Sequence, residues 1–100
     1  MADGSWLMVM VDGGEPIRVP IEAEIDLHPF APADIPSVVE EYIEAAAAAG
    51  LREVRVVHGR GRGVQRGIVQ AALERHPRVV EFRDDTASHL GATIAILRGV

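Results

Sequence analysis

The sequence predicts an α/β chain of the α+β sandwich type: a β-α-β-α-β-β succession that builds a mixed four-stranded core sheet with two helices on one face, preceded by a β-hairpin. Three observations predict it. Short runs alternate apolar and polar residues with period 2, two longer runs carry apolar residues at 3.6-residue spacing, and glycine or proline falls between successive runs. A chain of 100 residues has room for one modest hydrophobic core. The reading therefore divides it into a hairpin extension, residues 1–23, and one domain, residues 24–100.

Trp6 to Val11 and Ile17 to Ile21 flank the turn-forming cluster Asp12-Gly13-Gly14-Glu15-Pro16, which makes them a hairpin, placed at an edge of the sheet. Glu24-Ile25-Asp26-Leu27-His28 is a strand with Ile25 and Leu27 inward, ended by Pro29. From Ile35, the positions Ile35, Val38, Val39, Tyr42, Ile43 and Ala46 trace the stripe of an amphipathic helix. Asp34 is the expected N-cap and Gly50 the expected C′ residue. Glu53 to Val57 is a β-branched strand. A second stripe, Val64, Ile68, Val69, Ala72 and Leu73, is a helix stopped by Pro77. Arg78 to Phe82 and Thr93 to Leu97 are the last strands, with Arg83 to Gly91 a polar connection between them.

Right-handed crossovers make the first three core strands parallel. Their carboxyl ends then share one rim, where open α/β sheets bind ligands. His28 and His58 fall at the ends of the first two of these strands. The last strand, returning antiparallel, brings Gly91 and Thr93 to the same rim.

Composition limits the chemistry. Hydrophobic residues make up 48% and charged residues 25% of the chain, which is globular rather than disordered. Without cysteine there are no disulfides, thiolate metal sites or cysteine nucleophiles. The early apolar run Trp6 to Val11 is too short for a signal segment, follows no basic residue and is bracketed by Asp3 and Asp12. The expectation is a cytoplasmic protein with no membrane partner.

The net charge of −5 argues at first against nucleic acid, whose binding rests on cations that neutralise phosphates. The charge is unevenly spread, however. Residues 1–51 hold one arginine against ten acids, whereas residues 52–83 hold eight arginines against three acids. Every basic residue is arginine. That suits forked contacts to phosphate, and a GC-rich genome would produce the same bias.

The strongest single feature is a strand that runs into His58-Gly59-Arg60-Gly61-Arg62-Gly63 and then directly into a helix. Successive backbone N–H groups and the positive helix end surround one point there, and such a point attracts phosphate. Arg60 and Arg62 add charge-assisted donors, and Arg66 in the first helical turn joins them. A purely structural glycine turn is the competing reading. Dinucleotide binding is disfavoured, because the spacing is not Gly-x-Gly-x-x-Gly.

Asp26 and His28 lie two apart in a strand and so share a face. The carboxylate either orients the imidazole as half of an acid–base site, or bonds a neighbouring loop while His28 only ends the strand. His76, at a helix end beside Pro77, reads as structural. His89 lies in the rim connection and, with His28, His58 and Asp26, leaves room for a divalent metal. The sequence requires no cofactor.

Three segments, Ile25-Asp26-Leu27-His28-Pro29, His58-Gly59-Arg60-Gly61-Arg62-Gly63 and Ser88-His89-Leu90-Gly91-Ala92-Thr93, resemble the hallmarks of the Smr (small MutS-related) domain. Those hallmarks are Leu-Asp-Leu-His-Gly, His-Gly-Lys-Gly-x-Gly and Gly-Gly-x-Gly-Ala-Thr. The resemblance covers about three quarters of the chain, in the same order. It implies a fold similar to the C-terminal domain of bacterial translation initiation factor 3. It also implies nucleic-acid binding, DNA or RNA, with endonuclease activity in members that keep the Asp-x-His form.

Carried over, the resemblance assigns Asp26 and His28 to catalysis and His58, Arg60 and the loop glycines to phosphate. Asp26 would orient His28 or act as base, His28 would move the proton of an attacking water or ribose hydroxyl, and His58 would protonate the leaving oxygen. Pro29 and Ser88-His89-Leu90 depart from the hallmarks. Two further readings stay open: a module that binds without cutting, and a protein-interaction domain whose hairpin pairs with a partner or a second copy.

Overall fold

The computed structural model describes residues 6–9, 15–59, 63–88 and 91–99. Strands β1 (Trp6–Val9) and β2 (Ile17–Pro20) precede β3 (Glu24–Asp26), α1 (Ile35–Ala48), β4 (Glu53–Val57), α2 (Val64–Arg75), β5 (Val79–Asp84) and β6 (Ala92–Leu97). The main sheet has the order β3-β4-β6-β5, with β3 and β4 parallel and β6 antiparallel to both its neighbours. The helices pack on each other, and α2 packs on β5 and β6.

The expected strand directions hold, and the structure adds the neighbour relations: β6 lies between β4 and β5. The physical reason lies in the residues. The run Ala92-Thr93-Ile94-Ala95-Ile96-Leu97 is at least half-buried at every position, so both of its faces and both edges can be covered. Val79–Asp84 carries Glu81, Arg83 and Asp84 and exposes Val80, Glu81 and Arg83, as an edge strand does. This strand also runs two residues beyond Phe82, since Arg83 and Asp84 pair with Ile94 and Thr93.

The hairpin pairs antiparallel from Trp6↔Pro20 to Val9↔Ile17; of the cluster Asp12 to Pro16 expected to form its turn, residues 12–14 lie outside the described residues. It is not an edge addition, because among the described residues it forms a separate two-stranded sheet. Leu7, Val9, Ile17 and Val19 face inward: Val9 and Val19 are buried in the core, and β1 packs on α1. Trp6 and Met8 stay exposed on the outward side, with the Arg18 guanidinium stacked on the Trp6 ring at 4.4 Å.

Helix α1 buries the stripe read from the sequence, Ile35, Val38, Val39, Tyr42, Ile43 and Ala46, together with Ala47. Tyr42 donates its phenol hydrogen to the Glu22 carbonyl oxygen, which ties the segment entering β3 to the helix. Burial, reinforced by the negative charges of Glu22 and Glu24, pushes the phenol well above its ordinary range. At the helix start Asp34 occupies the N-cap position, but a 3-10 turn over Pro32–Asp34 leads into α1 and the carboxylate makes no capping bond. At its end Gly50 adopts φ +89°. The Gly50 N–H bonds Ala47 O and the Leu51 N–H bonds Ala46 O, the paired closure that needs a left-handed residue at C′.

Among the described residues no helix is long and apolar enough to cross a membrane. Leu73, fully buried between α2 and the sheet, should cost about 2–5 kcal/mol when cut to Ala. Gly50→Ala should cost about 1–2 kcal/mol, because the alanine must hold a left-handed conformation. Urea denaturation checks both: each midpoint should fall with an unchanged slope.

Candidate functional site

The sheet order brings the end of β3, the end of β4 and the start of β6 to one rim. Asp26 pairs with Val57, and Val57 pairs in turn with Ala92. The Leu27 N–H continues the ladder to Val57 O at 2.9 Å. Beyond the last ladder pair, the His58 and Gly59 N–H groups both donate to Gly91 O, at 3.0 and 2.9 Å. The three segments singled out in the sequence therefore converge, and one carbonyl oxygen joins two of them.

His28 is exposed on this rim. The Asp26 carboxylate accepts the backbone N–H of His28 at 2.8 Å, and among the described residues this is its one hydrogen bond. Asp26 thus shapes the turn that presents His28, and does not touch the imidazole. Of the two readings open in the sequence, the geometry takes the loop-bonding one for Asp26, and among the described residues the His28 ring has no hydrogen-bond partner.

His58 turns the other way. Its side chain is 5% exposed, with Nδ1 3.0 Å from Gly59 O and Nε2 2.9 Å from Thr93 Oγ1. Both ring nitrogens are spent inside the protein, so the expected proton donation to a leaving oxygen does not fit. Thr93 is completely buried, and its hydroxyl also receives Gln70 Nε2 at 3.1 Å; it faces the interior and makes no phosphate contact. Gly91 is buried and contributes a carbonyl acceptor, which repels rather than binds an anion.

Gly59 and Gly63 bracket the loop with φ of +85° and +81°. Side chains other than glycine rarely adopt that conformation, which accounts for both glycines. Gly63 is the N-cap of α2 and supplies no side-chain cap, so the first-turn N–H groups of this helix are left for another acceptor. Arg60, Gly61, Arg62 and His89 lie outside the described residues.

Arg66 departs from its expected role. Its Nε and Nη2 each reach one oxygen of Asp84 at 2.7 Å, and Gln70 Nε2 adds a bond to Asp84 Oδ1 at 3.0 Å. The guanidinium is answered within the protein and is not a free phosphate ligand. Arg55 is held similarly by Asp85 at 2.6 Å and Glu24 at 2.7 Å. Part of the basic third is thereby neutralised by acids from elsewhere in the chain. Charge counting along the sequence cannot show such pairing.

Among the described residues no cluster of three or more histidine, aspartate or glutamate side chains is placed to hold a metal ion. His58, with both nitrogens engaged, drops out of the set considered for a divalent metal. His76 plays the structural part expected of it. Its Nδ1 accepts the Arg78 N–H at 3.0 Å and its Nε2 faces Glu40 O at 3.3 Å, joining the end of α2 to α1.

The model of the Smr domain matches residues 25–98. The chain belongs to the Smr domain family. The chain is 38% identical over 80 residues to "Endonuclease MutS2" of Caldicellulosiruptor saccharolyticus, a match over 78% of this chain and 10% of the relative. With the protein of that name from Clostridium tetani it shares 38% identity over 63 residues, covering 63% of this chain and 8% of the relative. This Smr domain thus spans about one tenth of the length of the curated relatives it matches.

Solved structures resemble it too, among them the two that follow. The Smr domain of Thermus thermophilus MutS2 superposes with TM-score 0.70 at 34% identity, covering 77% of this chain and 99% of that one. YdaL, a stand-alone small MutS-related protein from Escherichia coli, gives TM-score 0.69 at 27% identity, covering 76% of this chain and 64% of that one.

The Arg66 pair holds the Asp84 carboxyl below the usual carboxylate range, helped by the Gln70 amide. A carboxyl with a lowered folded pKa stabilises the fold above its unfolded pKa, about 3.9. That stability is lost as pH falls through the lower folded value. Asp84→Asn should therefore lower the denaturation midpoint of this Smr domain at pH 7, with a difference that shrinks as pH drops below 4. Parallel denaturation curves of the two proteins between pH 7 and pH 3 provide the check.

Proposed function

We propose that this Smr domain, with residues 24–100 as its working unit, grips the phosphodiester backbone of DNA or RNA at the rim and cuts it, acting in the cytoplasm. The observation that carries the reading is the exposed His28 imidazole held on the same rim as the glycine-bracketed entry to α2. Backbone N–H groups at a helix start bind phosphate without needing a large net positive charge. This meets the objection raised by the acidic total. Arg60 and Arg62 supply the forked donors, and Arg66 stays with Asp84.

In this reading His28 takes the proton of the attacking group, a role open to an exposed imidazole nitrogen within reach of a bound backbone. Asp26 is a positioning residue that fixes the His28 backbone. His58 holds the loop from beneath and takes no part in proton transfer. Attack by water leaves a phosphate end, whereas attack by a ribose 2′-hydroxyl leaves a 2′,3′-cyclic phosphate; in either case the P–O bond to the departing sugar oxygen breaks and that oxygen takes its proton from solvent. The MutS2 relatives carry the name endonuclease, which supports the same reaction class; no metal is required by it.

A module that binds without cutting is the second reading, and it is favoured by the engagement of Asp26 with a backbone N–H. A third surface, the hairpin with its exposed Trp6 and Met8, suits contact with a second copy, which a solution mass measurement would show as a dimer lost on Trp6→Ala.

Incubation of supercoiled plasmid and structured RNA with the unsubstituted protein, His28→Ala and Arg60→Ala, each with and without chelator, tests the main reading. His28→Ala should lose cutting by about 10²-fold or more, in the range for a lost acid–base group, and keep binding. Arg60→Ala should weaken binding and flatten its salt dependence by about one phosphate contact. Cutting that survives His28→Ala removes the mechanism; binding without cutting by the unsubstituted protein establishes the module.

A further inference from the structure

The polar side chains beneath the rim form one continuous relay, Arg66, Asp84, Gln70, Thr93, His58 and the Gly59 carbonyl. We infer that Gln70 and Asp84 are positioning residues that hold His58 as its Nδ1-protonated tautomer, and thereby fix the Gly59 carbonyl at the mouth of the phosphate loop. The link to the loop rests on the phosphate reading above; the tautomer does not.

Each hydrogen in the relay has only one place to go. The Asp84 carboxylate receives two charge-assisted bonds of 2.7 Å from Arg66 and can only accept. The Gln70 amide must therefore turn its nitrogen, not its oxygen, toward Asp84 Oδ1 at 3.0 Å. That same nitrogen lies 3.1 Å from Thr93 Oγ1, so the threonine oxygen accepts from it. The single hydroxyl hydrogen of Thr93 is left for His58 Nε2 at 2.9 Å. On the other side of the ring Nδ1 faces Gly59 O at 3.0 Å, an atom that can only accept, so Nδ1 carries the proton.

The assignment follows from one charge propagated through four groups. It selects the tautomer that a free histidine side chain populates less. Thr93 is 0% and His58 5% exposed, so water does not compete for these bonds, and a reversed direction at any link would leave two donors or two acceptors facing each other. Gly59 is then held twice. Its N–H is bound to Gly91 O at 2.9 Å and its C=O to the ring, which pins a left-handed residue immediately before the loop. Gln70 lies mid-way along α2 and Asp84 on the edge strand, yet both act on the loop entry.

Long-range ¹H–¹⁵N correlation on the ligand-free protein reads the tautomer. In the unsubstituted protein His58 Nδ1 should resonate as a proton-bearing nitrogen and Nε2 as a bare acceptor. Gln70→Glu replaces the donor with a second carboxylate, so Thr93 should turn its hydrogen to residue 70 and His58 Nε2 should move to the proton-bearing range. Thr93→Ser keeps the hydroxyl and should keep the original pattern. Thr93→Val introduces no charge, and should shift Nε2 toward the range of a nitrogen without a hydrogen bond.

A proton-bearing Nε2 in the unsubstituted protein overturns the inference, as does an unmoved Nε2 in both Gln70→Glu and Thr93→Val. If Gln70→Glu does not fold, Thr93→Val alone decides. For the loop, Thr93→Val should bind a labelled RNA hairpin several-fold more weakly, and unchanged affinity severs that link. Failure of the unsubstituted protein to bind any nucleic acid is a failure of the phosphate reading, and the tautomer result stands apart from it.

Discussion

The Gly91 carbonyl oxygen is the constraint on which the rim depends. By accepting both the His58 and Gly59 N–H groups, it ends the β4–β6 ladder and bends the chain into the loop at a defined place. Everything peculiar to the site is arranged around this junction: a left-handed glycine on one side, a buried histidine ring packed under it, and a threonine one pair further along the same ladder. The junction exists only because β6 lies beside β4, so the sheet order and the site have one cause.

The site also shows a division between two histidines that look equivalent on paper. Both close a parallel strand, yet His28 is exposed and its ring has no partner among the described residues, whereas His58 is buried with both nitrogens bound. The difference comes from what lies next in the sheet. His28 ends an edge strand, β3, while His58 ends an interior strand whose neighbour supplies Thr93. An imidazole in the first position can exchange protons with a bound molecule; one in the second can only stabilise the protein around it.

Much of the fold was legible because its signals are periodic. Period 2 marked the strands, the 3.6-residue stripe marked α1 down to its buried faces, and Gly50 marked where it ends. The hairpin's inward residues were legible too, but not that Val9 and Val19 would pack in the core with α1 rather than lengthen the sheet. The insertion of β6 was only weakly encoded, in a run with almost no polar residue. Least visible were the polar partnerships. Arg66 looked like a phosphate ligand because it sits one turn after a glycine loop. The acid that claims it is 18 positions away, and no local pattern reveals which strand edge will carry that acid past α2. Asp26 was placed on the right face, but its bond to a backbone N–H two residues on depends on the turn that Pro29 imposes.

The insertion of the last strand has a consequence for the order in which the chain can become itself. Until residues 92–97 are available, β4 has one open edge, β5 has no partner in the sheet, and the carbonyl that shapes the rim has not met its donors. Local structure such as α1 can form early, since its contacts are short in sequence, but the sheet closes by the non-local pairings that fold slowly. During that interval β4 keeps an unpaired strand edge, the condition that favours association between chains. The strand that completes the working rim is thus also the one that removes the chain's exposure to misassembly, and the two events are simultaneous.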